Sequence, residues 1–174
     1  MEDFHRMGEA GVLAPEARVE LIEGEIFDMA PIGSRHASIV NRLNQMFVLA
    51  ASGRAIVQVQ GPVRLGEHSE PEPDLTLLRP SADFYRDRAP GAGDVLLIVE
   101  VSDTTQRYDR RVKVPLYARH GVPEVWVIDL ENRLVHFHRQ PAGETYAGIT
   151  ASEAPGVTPV AALAGVAVDL SGLL

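Results

Sequence analysis

The chain has 174 residues, of which 45% are hydrophobic and 23% charged, and its formal net charge is −8. This length suits one domain, residues 1–174, with a buried core. The absence of cysteine excludes a disulfide framework and a thiolate metal site. The acidic balance argues against a protein whose whole surface binds nucleic acid, although it is compatible with a local basic groove.

Targeting signals are not evident. The first residues, MEDFHRMGEAG, are polar and acidic and do not predict a signal peptide. No apolar run approaches the roughly 20 residues that a membrane helix needs. We therefore expect a cytoplasmic protein without a membrane partner.

The first third of the chain predicts a hairpin, a helix and a strand. Residues 18–29 have strand-forming residues on both sides of a Glu23-Gly24 turn. Apolar residues then recur at helical spacing from Ser34, a candidate helix cap, to about Ala50. Residues 55–65 alternate as in a strand, and Pro62 indicates an edge position or a bulge.

The middle of the chain predicts strands that surround a second helix. The expected strands are residues 73–78, 95–101, 124–130 and 133–139, and the second of these is apolar enough to be central in a sheet. Thr104 or Thr105 is a candidate cap for a helix that carries Arg107, Arg110, Arg111 and Lys113. Residues 157–174 are small and apolar, and we expect them to cover the core. The order predicts a mixed α/β sheet between two helices, with an N-terminal strand hairpin.

Two neighbouring predicted strands each carry an acid that an apolar strand disfavours. Asp74 opens one strand, and Glu100 lies near the end of the next. If these strands pair antiparallel, both carboxylates project at the same sheet edge. Together with a backbone carbonyl such as that of Val101, they offer the hard oxygen ligands that Mg²⁺ prefers. Lys113, the only lysine of the chain, could orient an attacking water or stabilise developing charge.

Several motifs resemble those of one nuclease family. They are the Pro73-Asp74 pair, VELIEGEI near the start, SRHASIVNRL, LLIVEVSDTTQRYDRRVK and LYARHGVPEVWVIDL. The set resembles the Uma2 family (DUF820) of the PD-(D/E)xK nuclease superfamily, and the resemblance covers about residues 19–139. The long run from IVEVSD to WVID is specific, whereas the PD dipeptide by itself is not.

The resemblance implies a restriction-endonuclease-like core and a Mg²⁺-dependent endonuclease, with Mn²⁺ as a possible substitute and DNA as the substrate. Asp74 and Glu100 would then bind the metal, and Lys113 would be the catalytic lysine. The superfamily pattern has a lysine two residues after the glutamate, where this chain has Ser102. Migration of that lysine to the next helix is typical of the resembled family.

Further residues of the site follow from the same resemblance. Glu20 would be an additional acid, and His36 would line the same cleft. Pro115 lies two residues after Lys113 and predicts that the helix kinks or restarts there.

The candidate site residues also have alternative interpretations. Asp74 could be a simple strand-end residue, Lys113 could form a surface pair with Asp109, and Glu20 could pair with Arg18. The three arginines could contact phosphates or form a solvated face. His136 and His138 point to the same side of a strand and could contribute to a Zn²⁺ site, although no third ligand has a matching spacing.

The alternative function is a nuclease fold that binds nucleic acid or protein without turnover. We also expect a homodimer, because the terminal segments are alternating and apolar and because many nucleases of this kind hold both strands of a duplex.

Overall fold

The computed structural model describes residues 1–14, 16–103 and 109–174. In these ranges the helices are α1 (Glu2–Glu9), α2 (Ser34–Ala51) and α3 (Val114–Arg119). The strands are β1 (Val19–Ile22), β2 (Glu25–Asp28), β3 (Ile56–Val59), β4 (Leu75–Leu78), β5 (Val95–Ser102), β6 (Glu124–Asp129), β7 (Leu134–Ala142), β8 (Thr145–Ser152), β9 (Val157–Pro159) and β10 (Ala167–Asp169). None of the helices in the described ranges is both long and apolar enough to cross a bilayer.

The centre of the fold is a six-stranded sheet with the order β3-β4-β5-β6-β7-β8. Strands β5 and β6 are parallel, and the other neighbours are antiparallel. The chain between β5 and β6 includes α3, as a parallel crossover requires. Every residue of β5 is buried, which confirms the prediction of a central strand. The predicted mixed α/β architecture is confirmed.

Each face of the sheet is covered by a helix. The face covered by α2 receives Val40, Leu43, Phe47 and Ala51, whose helical spacing forms one apolar stripe. The C-terminal segment completes this core, as predicted, and its strands β9 and β10 form a separate hairpin. The opposite face is covered by α3 and by the residues around it. Burial of one large aliphatic side chain contributes roughly 2 kcal/mol, so both layers are needed for stability.

Arginine side chains fasten the C-terminal segment to the rest of the protein. Arg42, Arg54 and Arg133 donate hydrogen bonds to the backbone carbonyls of Gly172, Ala164 and Leu174, respectively. The forked guanidinium group suits such contacts because it presents several donors in one plane.

The N-terminal hairpin is held against the chain that leads into β4. Glu23 and Gly24 both have positive φ angles, 52° and 86°, as the twist of a two-residue hairpin turn requires. Leu21 of β1 exchanges two backbone hydrogen bonds with Glu70. The hairpin therefore places Glu20 beside the entrance to β4.

Two local predictions differ from the structure, and several elements were not predicted. Strand β3 ends at Val59 rather than at Leu65, although it does lie at the sheet edge. Gly33 precedes α2 in an extended conformation, so Ser34 is the first helical residue rather than the cap. Helix α1 and strands β8, β9 and β10 were not predicted as elements. Thr104, Thr105 and Arg107 lie outside the described residues.

Candidate active site

A cavity of about 310 Å³ opens at the edge of the sheet where β4 begins and β5 ends. One wall comes from β1, β2 and residues 29–33, which lead into α2. The other walls contain Asp74, Glu100, Val101 and Lys113. The sequence-predicted site residues, with Glu20 and His36, therefore lie around one cavity.

Asp74 immediately precedes β4, and Glu100 lies in the neighbouring antiparallel strand β5. Strand β4 pairs with β5 so that Leu75 lies opposite Val99. Continuing this register by one residue places Asp74 opposite Glu100, and residues directly opposite each other share a face of the sheet. The expectation that the start of one strand would lie beside the end of the other is confirmed.

The Asp74 carboxylate has three polar neighbours. Its Oδ2 accepts a hydrogen bond from the Val101 amide at 2.8 Å. Its Oδ1 lies 3.0 Å from Nε2 of His36 and 3.4 Å from Nε2 of Gln60. His36 projects from the first turn of α2, so this helix fixes one side of the carboxylate while β5 fixes the other. The side chain keeps some exposure, which leaves it open toward the cavity.

Lys113 lies between two buried glutamates. Its Nζ is 3.0 Å from Oε2 of Glu20 and 3.4 Å from Oε1 of Glu100. The exposed fractions of Glu20, Glu100 and Lys113 are 3%, 2% and 5%, respectively. Buried charges of this kind persist only when they are paired and hydrogen-bonded. Glu20 therefore pairs with Lys113, and its Oε2 also accepts a hydrogen bond from the backbone amide of Glu72 at 3.3 Å.

The backbone around Lys113 explains how this lysine reaches the site. Asp109–Lys113 form a turn of π-helix, and α3 restarts at Val114 with Pro115 in its first turn. Proline is tolerated there because the first helical amides have no intrahelical acceptor. The prediction that the helix restarts near Pro115 is confirmed, and the change of helical pitch lies directly at the lysine.

The sequence of the chain matches the profile of one protein family. The profile of the Uma2 family, described as "Putative restriction endonuclease", matches residues 1–171. The chain belongs to the Uma2 family.

A solved structure is similar to this Uma2 chain over most of its length. It is a DUF820 "putative nuclease" from Anabaena variabilis, with a TM-score of 0.69 and 17% sequence identity. The match covers 91% of this chain and 90% of that chain. At this identity the likeness shows a shared nuclease-like fold. No curated protein sequence matches the chain.

The donor atoms of the Uma2 site suit a hard divalent cation. The backbone carbonyl of Ser102 accepts a hydrogen bond from the backbone amide of Leu130, which follows β6. Because successive residues of a strand direct their backbone groups to opposite sides, the amide and the carbonyl of Val101 are directed toward β4. The Val101 carbonyl and the carboxylates of Asp74 and Glu100 are the oxygen ligands that Mg²⁺ prefers. In residues 1–14, 16–103 and 109–174, no group of three or more His, Asp or Glu side chains has the arrangement of a metal centre. Two acids and one carbonyl nevertheless fit Mg²⁺, since this ion usually retains several waters.

The cavity is rich in negative charge. Its lining includes two cationic side chains, Arg18 and Lys113, together with His36. Against these stand six acids: Glu20, Asp28, Glu72, Asp74, Glu100 and Asp103. Burial raises the pKa of the half-buried Glu72 carboxyl, while Arg18 opposes this shift and Glu20 adds to it. A phosphate group would be repelled by such a cavity unless a cation were bound first.

Other candidate residues lie away from this cluster. His136 and His138 lie on β7 with ring centroids 6.5 Å apart, and His136 is 3.9 Å from Asp129. Arg111 is exposed on the π-helical turn, and the side chain of Arg110 lies outside the described part of the chain. Of the side chains that the structure describes, those of His136, His138 and Arg111 do not line the cavity.

Several residues of the site were not predicted from the sequence, among them Gln60, Glu72 and Tyr117. Gln60 and Glu72 lie in the cavity lining, and the hydroxyl group of Tyr117 donates a hydrogen bond to Oε1 of Glu100 at 2.6 Å. Tyr117 follows Lys113 by four residues, a spacing that places both on one helix face but that is equally typical of an ordinary core residue.

Proposed function

We propose that this Uma2 protein is a Mg²⁺-dependent endonuclease that hydrolyses DNA phosphodiester bonds, and that Mn²⁺ can replace Mg²⁺. The observation that carries the proposal is the convergence of Asp74, Glu100 and the buried ammonium group of Lys113 around one acidic cavity. Membership of a family described as "Putative restriction endonuclease" supports the same reaction class.

Each residue has a role that follows from its contacts. Asp74, Glu100 and the carbonyl of Val101 would hold the cation. The bound ion would supply Lewis acidity toward the phosphodiester and would neutralise part of its charge. Lys113 would donate a hydrogen bond to the attacking water or to a phosphate oxygen as negative charge develops. His36 would keep Asp74 oriented.

Glu20 has a different role from that of a metal ligand. Its carboxylate accepts hydrogen bonds from Lys113 and from the Glu72 amide. These contacts direct the lysine ammonium group toward Glu100. We therefore assign Glu20 to the positioning of Lys113.

The acidic cavity favours a divalent cation over direct phosphate binding. Glu20 and Glu100 together carry one more charge than Lys113 can neutralise, and Asp74 adds another beside His36. Attraction between unit charges is several kcal/mol at 4 Å in a partly buried site, so a divalent ion gains substantially from this surplus. DNA would then approach an assembled cationic centre. The proposed setting is the cytoplasm, where a homodimer could cut both strands.

Cleavage of DNA provides the test. The protein would be incubated with supercoiled, linear and single-stranded DNA in the presence of Mg²⁺ or Mn²⁺, beside Glu100→Gln and Asp74→Asn. The proposal predicts cleavage by the wild type and a loss of at least about 100-fold in both variants, because each substitution removes a charged ligand. The matched control is Asp28→Asn, which removes an acid from the cavity wall that β2 forms, away from Asp74 and Glu100, and should retain activity. Equal cleavage by the wild type and Glu100→Gln would contradict the proposal.

Thermal unfolding separates this proposal from a nuclease fold used only for binding. A working site stabilises the folded state by about 2.7 kcal/mol at a metal concentration of 100 Kd. A fold without a metal site should unfold at the same temperature with and without Mn²⁺.

A further inference from the structure

Tyr117 contacts the candidate metal ligand Glu100 from inside the core. Its side chain is fully buried on the face of the sheet that α3 covers. The hydroxyl group donates to Oε1 of Glu100 at 2.6 Å, a hydrogen bond that is buried throughout. A hydroxyl group beside an ionised carboxylate forms one of the stronger hydrogen bonds available in a protein.

Two donors from adjacent helical turns meet at this same oxygen. Lys113 and Tyr117 are four residues apart across the start of α3, and both reach Oε1 of Glu100. The tyrosine ring lies among Ile98, Leu116 and other core residues, so its hydroxyl group has little freedom to move. The hydroxyl group, held in place by the buried ring, thus anchors the Glu100 carboxylate, whose side chain has several rotatable bonds.

The chemistry of the two donors differs in a way that matters for cation binding. The lysine ammonium group neutralises carboxylate charge and therefore competes with a metal ion. The tyrosine hydroxyl group is neutral and fixes the orientation of the carboxylate without adding positive charge. Groups that orient metal ligands through hydrogen bonds typically alter metal affinity or activity by 10–100-fold when they are removed.

We propose that Tyr117 is a positioning residue that orders the Glu100 carboxylate for binding of the divalent cation. This inference rests on the proposed function, because it requires Glu100 to be a metal ligand. Tyr117 does not touch substrate in this scheme and acts only through Glu100.

The experiment compares the Mn²⁺ affinity of Tyr117→Phe with that of the wild type, with free Mn²⁺ measured by electron paramagnetic resonance. The substitution removes the hydroxyl group and preserves the ring. We expect the Kd for Mn²⁺ to rise about 10-fold. The rate constant kcat for DNA cleavage should fall while KM for DNA changes little. Tyr117→Met, which removes the hydroxyl group with different packing, should weaken Mn²⁺ binding to a similar extent.

The matched control is Tyr146→Phe. Tyr146 is also buried, and its hydroxyl group donates to the Val122 carbonyl at 2.9 Å without lining the cavity. Loss of the Tyr146 hydroxyl group should change the free energy of unfolding without changing the affinity of the protein for Mn²⁺.

The possible results separate this inference from the proposed function. Wild-type affinity in both Tyr117 variants, with binding lost in Glu100→Gln, would overturn the role of Tyr117 and leave the metal site intact. A wild type that binds no Mn²⁺ would overturn both. Weaker binding in the Tyr117 variants, together with unchanged binding in Tyr146→Phe, would support the inference.

Discussion

The ammonium group of Lys113 lies 3.4 Å from the carboxylate of Glu100, although the two residues belong to different elements of the fold. In the superfamily pattern that the sequence resembles, the lysine lies two residues after the glutamate on the same strand, a position that Ser102 occupies here. The π-helical turn Asp109–Lys113 carries the lysine back to the end of β5. The chain therefore places an ammonium group beside the glutamate by a different route.

The buried pairing of Lys113 with Glu20 predicts a non-additive effect on stability. Lys113→Met leaves two buried carboxylates without their cation and should lower the free energy of unfolding by roughly 3 kcal/mol. Adding Glu20→Gln should recover part of this loss, because one of the two uncompensated charges is then removed. Denaturant unfolding of the two single variants and the double variant measures the coupling. Additive effects would show that the contact between these side chains contributes little.

The short contact between His36 and Asp74 predicts an effect on metal binding. His36→Ala removes the partner at 3.0 Å from Oδ1 and should weaken Mn²⁺ binding about 10-fold. Gln60→Ala removes the longer contact at 3.4 Å from the same oxygen and should have a smaller effect. Isothermal titration with Mn²⁺ measures both. An equal or greater loss in Gln60→Ala would contradict the assigned role of His36.

Substitution of Glu124 should lower the stability of the protein without affecting the candidate active site. It is fully buried, and its carboxylate accepts hydrogen bonds from Trp126, Arg139 and the Ala161 amide at 2.8, 2.6 and 2.7 Å. In Glu124→Gln an amide NH2 group, itself a donor, replaces one of the two accepting oxygens and faces these donors. We expect the free energy of unfolding to fall by about 2 kcal/mol. This corresponds to a fall in Tm of roughly 4–8 °C, with cleavage at 25 °C retained. Loss of cleavage from a folded variant would contradict this separation.

The pairing of Asp94 with Arg88 predicts a dependence of stability on pH. The hydrogen bonds from Arg88 hold the pKa of Asp94 below its usual 3.8. The unfolded chain therefore binds a proton near pH 3.8 while the folded chain remains ionised. The stabilising contribution of Asp94 is present above pH 3.8 and disappears as pH falls through the lower folded-state pKa.

Unfolding free energies of the wild type and Asp94→Asn at several pH values test this sign. The wild type should be the more stable at pH 6, and the difference should shrink below pH 3.8. In an Arg88→Gln background, Asp94→Asn should have a smaller effect at pH 6. A difference that grows as pH falls would contradict the assignment.

Local patterns were sufficient to predict much of the fold and the grouping of several residues at the candidate site. The apolar run of β5 predicted its central position, and the Glu23-Gly24 turn predicted the hairpin. The acids Asp74 and Glu100 were identified because ionised groups are costly in apolar strands. Their predicted proximity depended only on antiparallel pairing, which the structure has.

Other features depend on contacts that no local pattern encodes. Strand β8 is largely exposed and carries small residues, so only its pairing with β7 defines it. Tyr117 has the spacing of an ordinary core residue, and its hydrogen bond to Glu100 requires β5 and α3 to be brought together. Glu20 likewise finds its partner, Lys113, only when the N-terminal hairpin closes over the start of β4.

The most direct measurement is a crystal structure with Mn²⁺, using anomalous scattering to locate the ion. The account predicts one strong anomalous peak between the carboxylates of Asp74 and Glu100, within about 2.5 Å of an oxygen of each. The peak should be absent in Glu100→Gln crystals grown under the same conditions. A wild-type crystal without a peak at this position, at Mn²⁺ concentrations that support cleavage, would contradict the central claim.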